Sequence, residues 1–157
     1  SGWDRKSALL RAKDDGSPDA PVAAGQIADL LGQAATGDYF AIMAYAQETT
    51  GVDSAVGVLR KKVMERHKIA TTFGYGPRFL HSTGQLHKGG PNSGLFLQLT
   101  VDHEELEIPS EPFGFRTLIS AQAMGDHQAL VEGQRRVIRV HLGEDAEAGL
   151  LRLLGGI

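Results

Sequence analysis

The fold is decided by the stretch Tyr39–Ala46 (YFAIMAYA), which is apolar without interruption and lies between the polar residues Asp38 and Gln47. The run is too short for a buried helix of ordinary length, but it matches a β-strand that is covered on both faces. Such strands belong to parallel sheets, where helices pack against both sides. The stretch therefore predicts a parallel sheet at the centre of the protein.

Outward from this strand, extended and helical patterns alternate along the chain. Gly94–Val101 (GLFLQLTV) is the strongest further strand, and Ile69–Phe73 and Val137–Leu142 are two more. Helices are predicted from apolar residues spaced one helical turn apart, and Asp53-Ser54 is expected to cap the second helix. These apolar positions are Ile27, Leu30, Leu31 and Ala34; Val52, Val56, Leu59 and Val63; Phe115, Leu118, Ile119 and Ala123; and Ala146, Leu150, Leu153 and Leu154. The expected fold is a three-layer α/β/α sandwich with a mainly parallel sheet.

The composition is that of a soluble globular domain. Of the 157 residues 41% are hydrophobic and 22% are charged, which fits one domain with one core. The absence of cysteine excludes disulfides, thiolate metal ligands and cysteine nucleophiles. The net charge of −3 does not favour nucleic acid as a partner, and no apolar run is long enough to span a membrane. The predicted location is the cytoplasm.

Residues 1–22 are predicted to be a flexible lead-in or linker, and residues 23–157 to be the folded domain. The stretch Ala12–Gly25 combines Pro, Gly, Ser and acidic residues with little periodicity, as linkers do. The start at Ser1, without an initiator Met, suggests a piece of a longer chain.

The carboxyl ends of the strands are the expected place of the functional site, because ligands bind there in open parallel sheets. This edge would carry Gln47–Thr50 after the first strand and Gly74–Gly90 after the second. The second segment is long for a connection between a strand and a helix, and long loops in compact domains often bind or catalyse.

Within that segment, Leu80–Pro91 (LHSTGQLHKGGP) concentrates groups that can bind a small polar ligand. Imidazoles, an ammonium, hydroxyls and an amide are interleaved with glycines, which let the backbone come close to a ligand. The side chains are His81, Ser82, Thr83, Gln85, His87 and Lys88. This composition fits a polyol or anion site, and it fits equally a solvated loop whose histidines have no role.

The order of these residues is more specific than their composition. Leu80–Gln85 resembles the Leu-His-Ser-x-Gly-Gln segment of phosphoglucose isomerases, members of the sugar isomerase (SIS) superfamily. The wider text in Gly37–Tyr39, Phe73–Asn92 and Arg139–Gly143 is similar to the C-terminal part of the phosphoglucose isomerase region that bacterial polypeptides fuse to a transaldolase. The resemblance covers approximately residues 23–154 and is densest over residues 73–100.

This resemblance implies an SIS-type fold and the interconversion of glucose 6-phosphate and fructose 6-phosphate through an enediol, without a cofactor. His81 matches the family's ring-opening histidine, and the ordinary pKa of an imidazole suits that proton transfer. A carboxylate must then move a proton between C2 and C1. Glu65 is the nearest counterpart of the family's base; the alternative for Glu65 is a surface acid paired with Arg66 or Lys61, and Glu48 is a third possibility.

Other roles follow from the same resemblance. The family's C-terminal lysine has no counterpart here, and Lys88 is expected to replace it because of its location. Ser82, Thr83, Gln85 and His87 are expected to contact the sugar phosphate. Phosphate binding is expected to need the family's preceding SIS domain. We therefore expect that domain and a second copy of the chain as partners, and a chain that is incomplete as an enzyme on its own.

Two other classes of function stay open at this point. SIS domains also act as non-catalytic phosphosugar-binding modules, and the domain could instead mainly build a dimer interface. No metal is predicted, because the spacings of His67, His81 and His87 are not those of a helical zinc pair. His103, His127 and His141 are expected to be surface or strand residues.

Overall fold

The computed structural model describes residues 20–76, 91–104 and 106–157. Within these ranges no helix is both long and apolar enough to cross a membrane. In chain order the elements are α1 (Ala20–Leu31), β1 (Tyr39–Tyr45), α2 (Thr50–His67), β2 (Ala70–Tyr75), β3 (Gly94–Thr100), α3 (Phe115–Glu132), β4 (Arg136–His141) and α4 (Ala146–Gly155).

The four strands form one sheet in the order β2-β1-β3-β4, and every neighbouring pair is parallel. All residues of Phe40–Tyr45 in β1 and of Gly94–Thr100 in β3 are buried. These two strands lie inside the sheet and are covered on both faces, which explains their apolar sequences. The predicted α/β fold with a parallel sheet is confirmed.

Helices cover the sheet from both sides. The helices α1, α2 and α4 share a core with one face, which we call the α2 face. The helix α3 packs on the opposite face, which we call the α3 face. Phe40 and Ile42 of β1 belong to the α2-face core, whereas Ala41 and Met43 belong to the α3-face core. This alternation is the period of two that a strand imposes, and it gives the three-layer arrangement.

The first helix begins earlier than expected. It starts at Ala20, inside the stretch expected to be a linker, and Ala23 and Ala24 are buried in the α2-face core. Pro21 stands at the start of the helix, where its missing N–H costs no hydrogen bond. Proline and small residues that suggested a linker therefore serve a helix start here. Residues 1–19 lie outside the described residues.

The second helix also begins earlier than expected, but its apolar positions are as predicted. The N-cap is Thr49, whose hydroxyl accepts a hydrogen bond of 3.1 Å from the N–H of Val52. The expected cap at Asp53-Ser54 was wrong, because a capping residue satisfies the helix N–H groups at whichever suitable position comes first. The predicted apolar positions Val52, Val56, Leu59 and Val63 are all buried.

Candidate functional site

The chain leaves two neighbouring strands in opposite directions at the carboxyl edge of the sheet. From β1 it passes to α2 on one face, and from β3 it passes to α3 on the other. Such a reversal opens a crevice between the two strands, and ligands of open parallel sheets bind there. A cleft of about 1110 Å³ lies at this point, lined by the segments after β1 and β3 and by the first turns of α2, α3 and α4.

Acidic side chains dominate the described wall of this cleft. Five carboxylates line it, whereas His103 is the one basic side chain among the described lining residues. The carboxylates are Asp102, Glu104, Glu144, Asp145 and Glu147. The outer cleft therefore favours hydroxyl groups, which can donate to carboxylates, over anions.

The N-termini of α2 and α4 at the cleft each already have a carboxylate of this chain beside them. The carboxylate of Glu147 occupies the space where a side chain on Gly51 would lie, in the first turn of α2. The side chain of Asp145 accepts a hydrogen bond of 3.1 Å from the N–H of Ala148 and caps α4. Since a helix N-terminus attracts negative charge, an anionic ligand at the start of α2 would compete with Glu147.

The histidine in the cleft wall is held in a defined orientation. The Nε2 of His103 lies 2.9 Å from the backbone carbonyl oxygen of Tyr45, and its ring meets the ring of Phe115 edge-on at 5.9 Å. A carbonyl oxygen can only accept, so Nε2 carries a hydrogen and donates it. In the neutral ring Nδ1 then carries no hydrogen and can accept a hydrogen bond.

A smaller chamber lies beside the cleft, between the sheet and α3. It has a volume of about 60 Å³ and shares Tyr45, Val101, His103 and Ile119 with the cleft as lining residues. Its remaining lining includes polar residues from the ends of β3 and β4. Strand register aligns Tyr45, Thr100 and His141 in one row on the α3 face, and it places Arg139 in the next row beside Gln98 and Met43.

A buried hydrogen bond joins the sheet to α3 next to the chamber. The hydroxyl of Tyr45 donates to the carboxylate of Asp126, and both residues are buried. Burial raises the pKa of Tyr45, and the nearby carboxylate of Asp126 raises it further. Tyr45 therefore stays protonated and acts as a donor across the physiological pH range.

The other polar strand residues form a second set of hydrogen bonds. The Nε2 of Gln98 donates to the carbonyl oxygen of Ala123 at 2.8 Å. The hydroxyl of Thr100 lies 2.9 Å from Nδ1 of His141, and Nε2 of His141 lies 3.0 Å from a carboxylate oxygen of Asp102. Because a carboxylate only accepts, Nε2 of His141 carries a hydrogen, and in the neutral ring Nδ1 accepts from Thr100.

Arg139 is half-buried beside this network. Within the described part of the chain no carboxylate lies within ion-pair distance of its guanidinium, and no hydrogen bond to it is found there. Burial lowers the pKa of Arg139, and the Tyr45 hydroxyl opposes that shift. Burial also lowers the pKa of His127 on α3, with a further contribution from the charge of Arg139.

The predicted site residues divide into two groups. His81, Ser82, Thr83, Gln85, His87 and Lys88 lie outside the described residues, so their roles stay predictions. The chain approaches them at Gly76, which lines the cleft and whose N–H donates to the carbonyl oxygen of Ala44 at 2.8 Å. Glu48 follows β1 and lies at the same edge of the sheet.

Glu65 lies at the other end of the sheet. It stands in the last turns of α2, roughly 22 Å along the helix axis from Thr50. Its side chain is 64% exposed and its carboxylate lies 3.9 Å from Nζ of Lys61. This geometry matches the alternative of a surface acid, and the role of Glu65 as a base in this cleft stays a prediction that its position does not favour.

The polar residues under α3 were not among the site residues predicted from the sequence. His103 and His141 were expected to be surface or strand residues, and Gln98 and Thr100 were included in a strand that was predicted from its apolar residues. A signal was present, because Gln98 and Thr100 alternate with leucines in β3, and Arg139 and His141 alternate with Ile138 and Val140 in β4. Polar residues that share one face of a strand predicted to be buried indicate a polar site on that face.

Comparisons with known proteins support the fold. No protein-family model matches the chain, and a search of curated proteins gives no match. Within the described residues, no group of three or more His, Asp or Glu side chains could hold a metal ion. Among solved structures, the chain is similar to a hypothetical protein from Thermus thermophilus, with a TM-score of 0.56 and 20% identity, over 86% of this chain and 42% of that one. The chain thus spans less than half of that protein, and the likeness supports the α/β fold alone.

Proposed function

We propose that the chain is the C-terminal SIS domain of a phosphoglucose isomerase, and that its sugar site is the cleft between β1 and β3. The observation that carries the proposal is the place of Gly76. This residue lines the cleft, and the chain continues from it into Leu80–Pro91, the segment that resembles the family. A cleft of about 1110 Å³ is large enough for a sugar phosphate.

The chemistry of the described wall also supports an aldose-ketose isomerase. Moving a proton between C2 and C1 needs a carboxylate within hydrogen-bond reach of both carbons. Glu104 and Glu144 line the cleft, and neither has a hydrogen bond or ion pair among the described residues. They are better placed for this step than Glu65, while His81 is proposed to open the ring. No cofactor is needed for such a proton transfer.

The first experiment measures the interconversion of glucose 6-phosphate and fructose 6-phosphate. It uses the chain alone and the longest natural polypeptide that contains it, because the proposal includes a preceding SIS domain and a second copy as partners. We expect His81→Ala to lower kcat by about 10²- to 10⁴-fold, as the loss of a general acid-base group does. His67→Ala, at the far end of α2, is the matched control and should keep full activity. Equal activity in both variants would overturn the proposal.

A second set of variants tests where the site lies. If the cleft holds the sugar, Glu104→Gln or Glu144→Gln should lower kcat by about 10²-fold or more, and Glu65→Gln should leave it unchanged. A loss confined to Glu65→Gln would mean that catalysis takes place away from this cleft.

The second candidate function is a non-catalytic phosphosugar-binding or dimerisation module. The distance of Glu65 from the cleft favours it, because a diverged domain can keep a ligand cleft after losing its base. A sugar phosphate would then raise the melting temperature, as any ligand of the folded state does, while no isomerisation occurs. A cytoplasmic location belongs to the same proposal and is tested by fractionation of cells that make the natural protein.

A further inference from the structure

Arg139 is a charged side chain that has no carboxylate partner among the described residues. It lies on the α3 face beside the chamber of about 60 Å³, half-buried and without an ion pair among the described residues. Removing a guanidinium from water costs free energy unless a partner of opposite charge compensates. By contrast, Arg136 on the same strand has such a partner, because its guanidinium lies 3.2 Å from the carboxylate of Asp38.

The two carboxylates that bond to residues of the chamber wall are already engaged. Asp126 accepts the hydroxyl of Tyr45, and Asp102 accepts Nε2 of His141 at 3.0 Å. The described lining contains no carboxylate, and the other polar groups of the chamber wall are hydroxyls and imidazoles: Tyr45, Thr100, Ser120, His103 and His141. His127, on α3, has its pKa lowered by burial and so adds no positive charge at neutral pH. Among the described lining residues, Arg139 is therefore the one with a permanent charge.

We propose that Arg139 anchors an oxyanion-binding subsite in this chamber. The planar guanidinium offers paired N–H donors that match two oxygens of a carboxylate or phosphate group. The chamber has room for a few water molecules or for one oxyanion group, and too little for a sugar ring. A ligand would place its charged group against Arg139 and its uncharged part in the adjoining cleft.

The outer cleft explains why the charged group of a ligand would bind in the chamber and the uncharged part in the cleft. Its five described carboxylates repel an anion, and Glu147 already occupies the start of α2. A ligand with one anionic group and several hydroxyls meets donors for the anion in the chamber and acceptors for the hydroxyls in the cleft. Identifying the anionic group as the phosphate of a sugar phosphate rests on the proposed function, whereas the subsite itself does not.

The test uses inorganic phosphate as the probe and the ¹⁵N-labelled chain. We expect saturable shifts in the NMR signals of the Arg139 Nε–Hε group and of the Thr100 and His141 amides. Arg139→Gln should weaken binding by at least about tenfold, the usual effect of losing a charge-assisted hydrogen bond. Arg152→Gln removes the same charge from the exposed face of α4 and should leave the affinity unchanged. Unchanged binding in Arg139→Gln would overturn the subsite.

Arg139→Lys keeps the test decisive if Arg139→Gln does not fold. Lysine retains the charge but lacks the paired donors, so binding should weaken and stay measurable. Acetate in place of phosphate shows which oxyanion is preferred, and binding of neither would overturn the subsite.

Glucose 6-phosphate separates the subsite from the proposed function. Phosphate binding at Arg139 without isomerisation would contradict the proposed isomerase and support the subsite. Isomerisation with an unchanged KM in Arg139→Gln would keep the isomerase and show that the phosphate of its substrate does not bind at Arg139. If both hold, glucose 6-phosphate should shift the signals of Arg139 and His103 together, and glucose should leave those of Arg139 unchanged.

Discussion

The two faces of the sheet are built from the same strands but bury different kinds of side chain. On the α2 face, β3 places Leu95, Leu97 and Leu99 in an apolar core shared with three helices. On the α3 face, the same strand carries Phe96, followed by Gln98 and Thr100, which are both buried. The strand β4 repeats this contrast, because Ile138 and Val140 lie in the α2-face core and Arg139 lies under α3.

The polar residues of the α3 face are not scattered. They occupy the half of the face nearest the carboxyl edge, whereas Ala41, Phe96 and Val137 make the other half apolar. Burying polar groups costs free energy, and folded proteins usually accept that cost where function requires it. The α2 face therefore supplies stability, and the α3 face near the cleft supplies the polar groups of a site.

The largest expected effect is the loss of unfolding free energy when a side chain in the α2-face core is truncated. Leu97→Ala removes a side chain that is fully buried in the interior strand β3, and such truncations cost about 2–5 kcal/mol of unfolding free energy. Leu151→Ala is the control, because Leu151 is 56% exposed and surface changes usually stay within about 0.5 kcal/mol. Chemical denaturation measures both. A loss below about 1 kcal/mol in Leu97→Ala would mean that this core tolerates a cavity and is not the stabilising face.

The second prediction concerns the bond that ties α3 to the sheet. A double-mutant cycle of Tyr45→Phe and Asp126→Asn should give a coupling of about 1–3 kcal/mol, because the bond is buried and its acceptor is a carboxylate. The matched pair is Tyr75 and Asp53, which make the same kind of bond at 2.6 Å in an exposed position. Their coupling should be below about 1 kcal/mol, since water competes for both groups. Equal couplings would show that the α3 face is no drier than the surface.

The contrast between the faces also explains what could be predicted from the sequence. Strands β1 and β3 were predictable because both of their faces are largely apolar, and the apolar positions of α2 were predictable because one side of a helix repeats with its turns. The chamber was not, because Tyr45, Thr100 and His141 are far apart in the chain and only the register of three strands aligns them. The start of α1 was missed because proline and small residues occur both in linkers and at helix starts.

The third prediction has the opposite sign from the first two. Arg139→Met should raise the unfolding free energy of the ligand-free chain by about 1 kcal/mol, because an unpaired charge is replaced by an apolar side chain of similar length. Arg152→Met, on the exposed face of α4, should change it little. Thermal unfolding compares the two. Destabilisation by Arg139→Met would show that the guanidinium contributes to the fold and is not reserved for a ligand.

The smallest expected effect is a pH dependence that arises from the α3 face. Burial and the charge of Arg139 lower the pKa of His127 in the folded protein, so the unfolded chain binds a proton there more readily than the folded one. Stability from this residue is therefore present above the ordinary histidine pKa of about 6.5 and falls as the pH is lowered through it. His127→Gln should lose less unfolding free energy between pH 7.5 and 5.5 than the unmodified chain does (roughly one unit on either side of that pKa). Arg139→Met should give an intermediate dependence, because it removes one of the two causes. Equal slopes in all three proteins would mean that His127 titrates alike in the folded and unfolded states, and that the α3 face is open to water at this point.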